Sequence, residues 1–249
     1  MKNFYLGLKF SFSYFSILPI SFTKEDDLSK KEVLGQMLFN LPLVGLVLGG
    51  LTILLFLVLS HLEWYGAIIS AVVYMMLYGF IHTEAIMDVA DAIYASHSGK
   101  DAYTIIKEPT VGAMGVLYAV GLILLKIAGA VYLLIHGFLM EFVAVLMVSR
   151  LSLLMLFKIH IFRSSFASLL KESLSIKYII GSFALFTMVG SMLMVEFILL
   201  LLVGLLFAFL ISSTIKSKIG FVNGDVLGAT LEGVEILLFM TLALFIPLF

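Results

Sequence analysis

The sequence predicts an all-α, polytopic transmembrane helical bundle of about seven spans with an N-terminal interfacial helix. Three observations carry that reading. The 249 residues are 62% hydrophobic and 12% charged, with a mean hydropathy of +1.18, against roughly 45–50% and 25% in a soluble domain. Several apolar runs reach the roughly 20 residues that cross a bilayer. The lysines and arginines are confined almost entirely to alternate loops. With no cysteine, a disulfide scaffold is excluded. With Lys+Arg 15 against Asp+Glu 16, no basic excess exists for nucleic acid. A transmembrane barrel would need short alternating segments, which are absent.

The elements follow in chain order. Phe4–Phe22 is aromatic and apolar but interrupted by Lys9, Ser11, Ser13 and Ser16, and no small-residue cleavage site follows. It reads as an amphipathic helix in the membrane interface, not as a signal peptide. Lys24–Glu32 is a charged linker, so residues 1–37 are interfacial helix and linker and 38–249 the bundle of a single integral-membrane domain. Spans are expected near Leu38–Ser60, Trp64–Ile81, Val111–Ile135, Leu139–Phe157, Tyr178–Val195, Phe197–Ser213 and Leu231–Phe249. The fifth and sixth are contiguous, and as one helix they would reach about 54 Å. That is far beyond a hydrocarbon core of about 30 Å, so a break is expected within Gly190–Glu196. All cations except Lys126 and Arg150 fall before span one or between spans two and three, four and five, or six and seven. The positive-inside rule then puts the N-terminus and these loops in the cytoplasm and the C-terminus outside.

Half of the sixteen acids lie in two stretches on that side. Glu84, Asp88 and Asp91 are spaced i, i+4, i+7, so on a helix they share one face. Three carboxylates in register repel one another. A wet helix end is the plain explanation; a divalent-cation site is the chemical one, since Mg²⁺ takes one or two carboxylates and shares phosphate oxygens. Glu108 follows in the same loop. Gly112 and Gly115, at the start of span three, are explained by a tight helix start, or else leave backbone N–H groups free to approach an anion.

The second stretch holds Asn223, Gly224 and Asp225, then Glu232 and Glu235 at the edge of the last apolar run. A cap with interfacial anchors would account for them, but carboxylates at a membrane edge are functional candidates. Lys126 and Arg150 fall in the middle of spans three and four, where a lone cation costs a few kcal/mol or more. They are expected to face an interior cavity and neutralise acids or a bound diphosphate. His82 is either a hydrogen-bonded histidine or a metal- or phosphate-orienting one.

These residues resemble a known family. His82-Thr-Glu84-Ala-Ile-Met-Asp88-Val-Ala-Asp91-Ala is similar to the H-x-D-G-x-x-D-x-x-D-G motif of the adenosylcobinamide-GDP ribazoletransferases, or cobalamin 5′-phosphate synthases. Asn223-Gly224-Asp225-Val-Leu-Gly228-Ala-Thr-Leu-Glu232-Gly-Val-Glu235 looks like their T-G-D-x-L-G-A-x-x-E-x-x-E segment. Leu18-Pro19, Pro42-Leu43-Val44-Gly45, Lys126 and Ser149-Arg150 match in the same order. The departures are Glu84 and Glu108 for Asp, Ala85 and Ala92 for Gly, and Thr110 and Ile17 for Arg.

The resemblance implies a bacterial inner-membrane enzyme of cobalamin (vitamin B12) assembly. Such an enzyme joins adenosylcobinamide-GDP to α-ribazole or its 5′-phosphate and releases GMP, with Mg²⁺. Glu84, Asp88, Asp91 and Asp225 would hold the metal. Asp91 or Asp225 would act as base, with Asp88 also in the catalytic set. His82, Glu108, Lys126, Arg150, Asn223, Gly224, Glu232 and Glu235 would contact substrate. The other partner is the lipid bilayer, and the oligomeric state, homo-oligomer or not, is left open. A transporter would predict inverted repeats or matched broken spans, and neither is evident. A CDP-alcohol phosphotransferase would need an arginine after Glu84 at a spacing this chain lacks.

Overall fold

The computed structural model describes residues 2–245, which form helices and connecting turns with no strand. Helix α1 (Lys2–Phe15) and α2 (Lys31–Phe39) pack on each other. The bundle follows as α3 (Leu41–Leu59), α4 (Trp64–Leu77), α5 (Ile81–His97), a short α6 (Ala102–Ile105), α7 (Ala113–Ile135), α8 (Leu139–Ile159), a short α9 (Ser165–Ser173), α10 (Ile176–Leu193), α11 (Phe197–Ile219) and α12 (Gly224–Phe245). Six of these, α3, α7, α8, α10, α11 and α12, are long and apolar enough to cross a membrane. Helix α4 has 14 residues, about 21 Å, and reaches a seventh crossing only together with the start of α5, from which it is bent by 79°. The turn between α10 and α11 falls at residues 194–196, inside the expected break. The expected tail at 246–249 lies outside the described residues.

Local chemistry explains the boundaries. Pro42 sits in the first turn of α3, where its missing N–H costs nothing. Asn40, between α2 and α3, donates its side-chain amide to the Gln36 carbonyl at 2.7 Å. Helix α11 ends on Gly220 with φ 86°, the left-handed conformation that closes a helix. The α4–α5 break uses Gly79 at φ 67° and Phe80 at φ 55°. It is held from outside, because Ile17 donates its N–H to the Leu77 carbonyl at 2.8 Å. The segment after α1 therefore docks on the bend that aims α5.

Burial ranks the helices. In α8, 83% of the span is buried within the protein and in α12 72%, against 17% in α10; α8 and α12 are thus the centre of the bundle. Helix α3 approaches α8 at Gly45, where an added Cβ would lie 2.5 Å from the Leu146 carbonyl oxygen. Helices α5 and α7 close the other side of α12.

Two expectations change here. Helix α12 begins at Gly224, two turns before the expected span, so Glu232 and Glu235 lie within the helix and are 2% and 0% exposed. The charged linker is shorter than expected, since Lys31 already opens a helix whose apolar residues Val33, Leu34, Met37 and Leu38 are buried.

Candidate active site

The site has two layers, a buried ionic network and, at the end of the bundle, a cavity. The network draws on five helices, α4, α5, α7, α8 and α12. Lys126 of α7 places its Nζ 2.7 Å from Glu232 Oε2 and 2.7 Å from Glu235 Oε2, both on α12. Arg150 of α8 forms an ion pair with Glu235 Oε1 and also donates to the Tyr74 hydroxyl at 3.2 Å. Tyr74 and Ser149 donate to Glu235 at 2.9 and 3.0 Å. The Lys126 ammonium also donates to Tyr78 at 3.2 Å, and Tyr78 meets Thr83 at 3.1 Å.

Two cations face two carboxylates, so the cluster is neutral as a whole. That balance is what lets four charges stay in a region with almost no water. Of the two roles expected for Lys126 and Arg150, the structure gives them the acids. Glu232 is the loosest member, since its Oε1 is buried with no hydrogen-bond partner among the described residues.

The cavity, about 470 Å³, lies beyond this network, within the range of small-molecule sites. Its walls include Tyr14 and Phe15 of α1, His82 and Ala85 of α5, the 163–167 segment, and Asn223, Gly224 and Asp225 at the start of α12. Asn223 caps α12 by accepting the Val226 N–H at 3.1 Å, and its amide donates to Asp225 Oδ2 at 2.7 Å. One oxygen of Asp225 is thus fixed by its neighbour. Tyr14 and Asp225 both line the cavity, and burial, then the negative charge of Asp225, push the Tyr14 hydroxyl above its ordinary value. His82 is buried and stacks on Phe15 with ring centroids 6.1 Å apart.

The three acids of α5 part company. Glu84 is exposed and Asp88 half-buried. Asp88, two turns beyond the bend and outside the spans, has its carboxyl raised to about 6 by burial, with Asp225, Glu84 and Asp91 adding repulsion in that order. Asp91 is turned away. Its carboxylate accepts the Gly112 N–H at 2.5 Å and the Gly115 N–H at 2.7 Å. The anion that the glycine amides at the start of α7 bind is the chain's own. Among the described residues no three His, Asp or Glu side chains are grouped to hold a metal ion; Asp91 is drawn onto the start of α7, while Asp88 stays within electrostatic reach of Glu84 and Asp225. Glu108 lies apart as well, exposed on a separate hollow with Asp91 and Lys100.

An added Cβ at Gly115 would lie 2.5 Å from Asp91 Oδ2 and 2.7 Å from the Met87 carbonyl oxygen. Gly115→Ala must therefore push α7 away from α5, at about 1–3 kcal/mol. Gly121, in the same helix, has open space around its Cα, so Gly121→Ala should be neutral or slightly stabilising. Thermal unfolding in detergent compares the two, and equal melting temperatures would refute the clamp.

Two cavity-facing cations escaped the sequence reading, Lys107 and Arg163, which counted there only as cytoplasmic loop charges. Their one signal is that Arg163 directly precedes a Ser164 that caps α9 by accepting the Ala167 N–H.

A polytopic helical membrane protein that gathers acids, a histidine and cations around a small-molecule cavity at one end of its bundle has the outline of a membrane-embedded enzyme acting on a charged substrate. The chain belongs to the cobalamin-5-phosphate synthase family, whose profile matches residues 7–243. It is 28% identical over 251 residues to an adenosylcobinamide-GDP ribazoletransferase of Clostridium perfringens, covering 94% of this chain and 96% of the relative. A Brevibacillus brevis protein of the same name is 30% identical over 241 residues, covering 92% and 94%. One from Caldanaerobacter subterraneus is 29% identical, covering 85% and 88%. No solved structure matches the chain.

Proposed function

We propose that the protein transfers the adenosylcobinamide phosphate group from adenosylcobinamide-GDP to α-ribazole or α-ribazole 5′-phosphate, giving adenosylcobalamin or its 5′-phosphate and GMP. The observation that carries this is the family match over nearly the whole chain, together with the cavity that ends on Asn223, Gly224 and Asp225. The ribazole hydroxyl oxygen forms a bond to the phosphorus bearing the corrinoid, the phosphoanhydride bond breaks, and GMP leaves with the bonding pair. The hydroxyl proton needs a base.

Asp225 suits that role, because it lines the cavity and Asn223 orients its carboxylate. Asp91 suits positioning instead, since both its oxygens are occupied by amides. Glu84, Asp88 and Asp225 offer only hard oxygen donors, and their mutual repulsion favours a cation between them. These three are the residues that would hold Mg²⁺. A three-carboxylate cage is not required, because this ion completes its shell with water and phosphate. When bound, it supplies charge neutralisation on the phosphate oxygens. The Lys126–Glu232–Glu235–Arg150 network fixes α12 against α7 and α8 and so aims the Asn223–Asp225 turn. His82 and Phe15 wall the cavity. In the bacterial inner membrane, with the cation-bearing loops inside, the cavity opens to the cytoplasm, where the nucleotide substrate is soluble.

The test incubates purified protein in nanodiscs with adenosylcobinamide-GDP, Mg²⁺ and either acceptor, then measures corrinoid product and GMP. Equal amounts of both are expected, with loss on addition of EDTA. Absence of GMP with both acceptors, under conditions where the Clostridium perfringens relative turns over, would sink the assignment.

A further inference from the structure

Lys126 and Arg150, the cations within the bundle, are balanced by Glu232 and Glu235 and carry no surplus charge for a phosphate. The cavity nevertheless has a positive wall. Lys107, in the turn after α6, and Arg163, in the turn between α8 and α9, both line it together with the start of α12. Both lie against one ring: the Lys107 ammonium is 4.1 Å from the Tyr103 centroid and the Arg163 guanidinium 3.7 Å. The ring in turn packs edge-on against Phe221 at 5.3 Å, and the guanidinium is 5.5 Å from that second ring.

Arg163 is also pinned through its backbone. Its N–H donates to the Val222 carbonyl at 2.8 Å, one residue before Asn223. Among the described residues neither cation forms an ion pair with a carboxylate. Asp101, whose carboxylate feels the Arg163 charge, is already committed to the Thr104 hydroxyl and to the Tyr103 and Thr104 amides, which hold it below the usual carboxylate range. Two like charges held on one aromatic ring repel each other, and an anion bound beside them relieves that repulsion. The first turn of α9 lines the same wall, and its cap, Ser164, takes only the Ala167 N–H, leaving first-turn amides without an intrahelical carbonyl.

We infer that Lys107 and Arg163, held on Tyr103, form the phosphate-binding wall of this cavity and grip the phosphate of a nucleotide substrate beside the turn that carries Asp225. The inference rests on the reaction proposed above for the identity of the ligand, which is either the diphosphate of the donor or the 5′-phosphate of the acceptor. The planar guanidinium suits two phosphate oxygens at once, and the lysine adds a point charge. This arrangement also supplies, from two other loops, the cationic capacity that Thr110 and Ile17 do not offer.

The experiment measures binding of GDP and, separately, of α-ribazole 5′-phosphate to the full chain in phosphatidylcholine nanodiscs, whose neutral headgroups do not compete. Wild type, Lys107→Met, Arg163→Met, Arg163→Lys and the double Met variant are compared, and methionine keeps an apolar stem on the ring. Arg163→Met should weaken binding of one of the two ligands about tenfold, as loss of a charge-assisted hydrogen bond does. Lys107→Met should weaken it severalfold and the double variant more than either, while Arg163→Lys recovers part and melting temperatures stay unchanged. Loss confined to GDP assigns the donor diphosphate; loss confined to the ribazole phosphate assigns the acceptor. Wild-type affinity for both ligands in the double variant overturns the inference, as does a wild-type protein that binds neither. Turnover in the same nanodiscs separates the two readings. An active protein whose double variant keeps its KM overturns this inference alone. A protein that makes no corrinoid product but loses GDP binding on Arg163→Met keeps it and overturns the reaction.

Discussion

Glu235→Ala is expected to destabilise the folded protein by about 3–5 kcal/mol, the cost of stranding a buried charge. Glu235 is fully buried and meets Lys126, Arg150, Tyr74 and Ser149 at once. Without it, Glu232 alone faces both cations, and the network carries a net positive charge in the middle of four apolar helices. Glu235→Gln keeps the side-chain shape and the Tyr74 contact but leaves the same excess charge, so its loss should be somewhat smaller. The double variant Lys126→Met, Glu232→Met removes one charge of each sign and leaves the Arg150–Glu235 pair intact. It should cost less than Glu235→Ala, because charge balance rather than the number of contacts governs the energy. Reversible unfolding by SDS in mixed micelles measures all three. If the double variant is the least stable of the set, the packing of these side chains matters more than their charge.

The spans were legible because a bilayer imposes a length and a composition that any window of residues reveals. The split between α10 and α11 follows from that local rule, whereas the bend after α4, inside the span expected at Trp64–Ile81, does not. The pairing inside the bundle is another matter. Lys126 and Glu232 are 106 residues apart in the chain, and nothing local says that a cation in one apolar run will meet an acid in another. The sequence does show that both must be compensated, and that much was readable. Asp91 is a similar case. Its place in an i, i+4, i+7 set predicts a shared face with Glu84 and Asp88, and the glycines at 112 and 115 predict amides seeking an anion. Only the packing of α5 on α7 joins the two halves. The cavity wall was least legible. Helices α6 and α9 have 4 and 9 residues, too few for hydrophobic periodicity to show, and the cations they position looked like topology signals.

Asp88→Asn and Asp91→Asn should fail for opposite reasons, and the contrast tests how the acidic face is divided. Asp88 has no hydrogen-bond partner among the described residues, sits half-buried among other acids, and has its carboxyl raised to about 6. A folded value above the unfolded one means that its ionisation opposes folding. In EDTA, wild-type stability should therefore fall as the pH rises from about 4 to 6, and Asp88→Asn should flatten that slope while folding at least as well. Turnover should nonetheless drop by about a thousandfold, the equivalent of about 4 kcal/mol, because a ligand to the cation that neutralises the transferring phosphate is gone.

Asp91→Asn replaces a carboxylate that accepts two amides with a group that has one accepting oxygen. It also turns a donor toward a backbone N–H. The start of α7 should loosen, lowering the melting temperature by several degrees, and turnover should fall with it. Melting curves and GMP release on the two purified variants decide the matter. A stable, inactive Asp88→Asn beside an unstable Asp91→Asn supports the division. A stable and inactive Asp91→Asn would return that carboxylate to the chemistry.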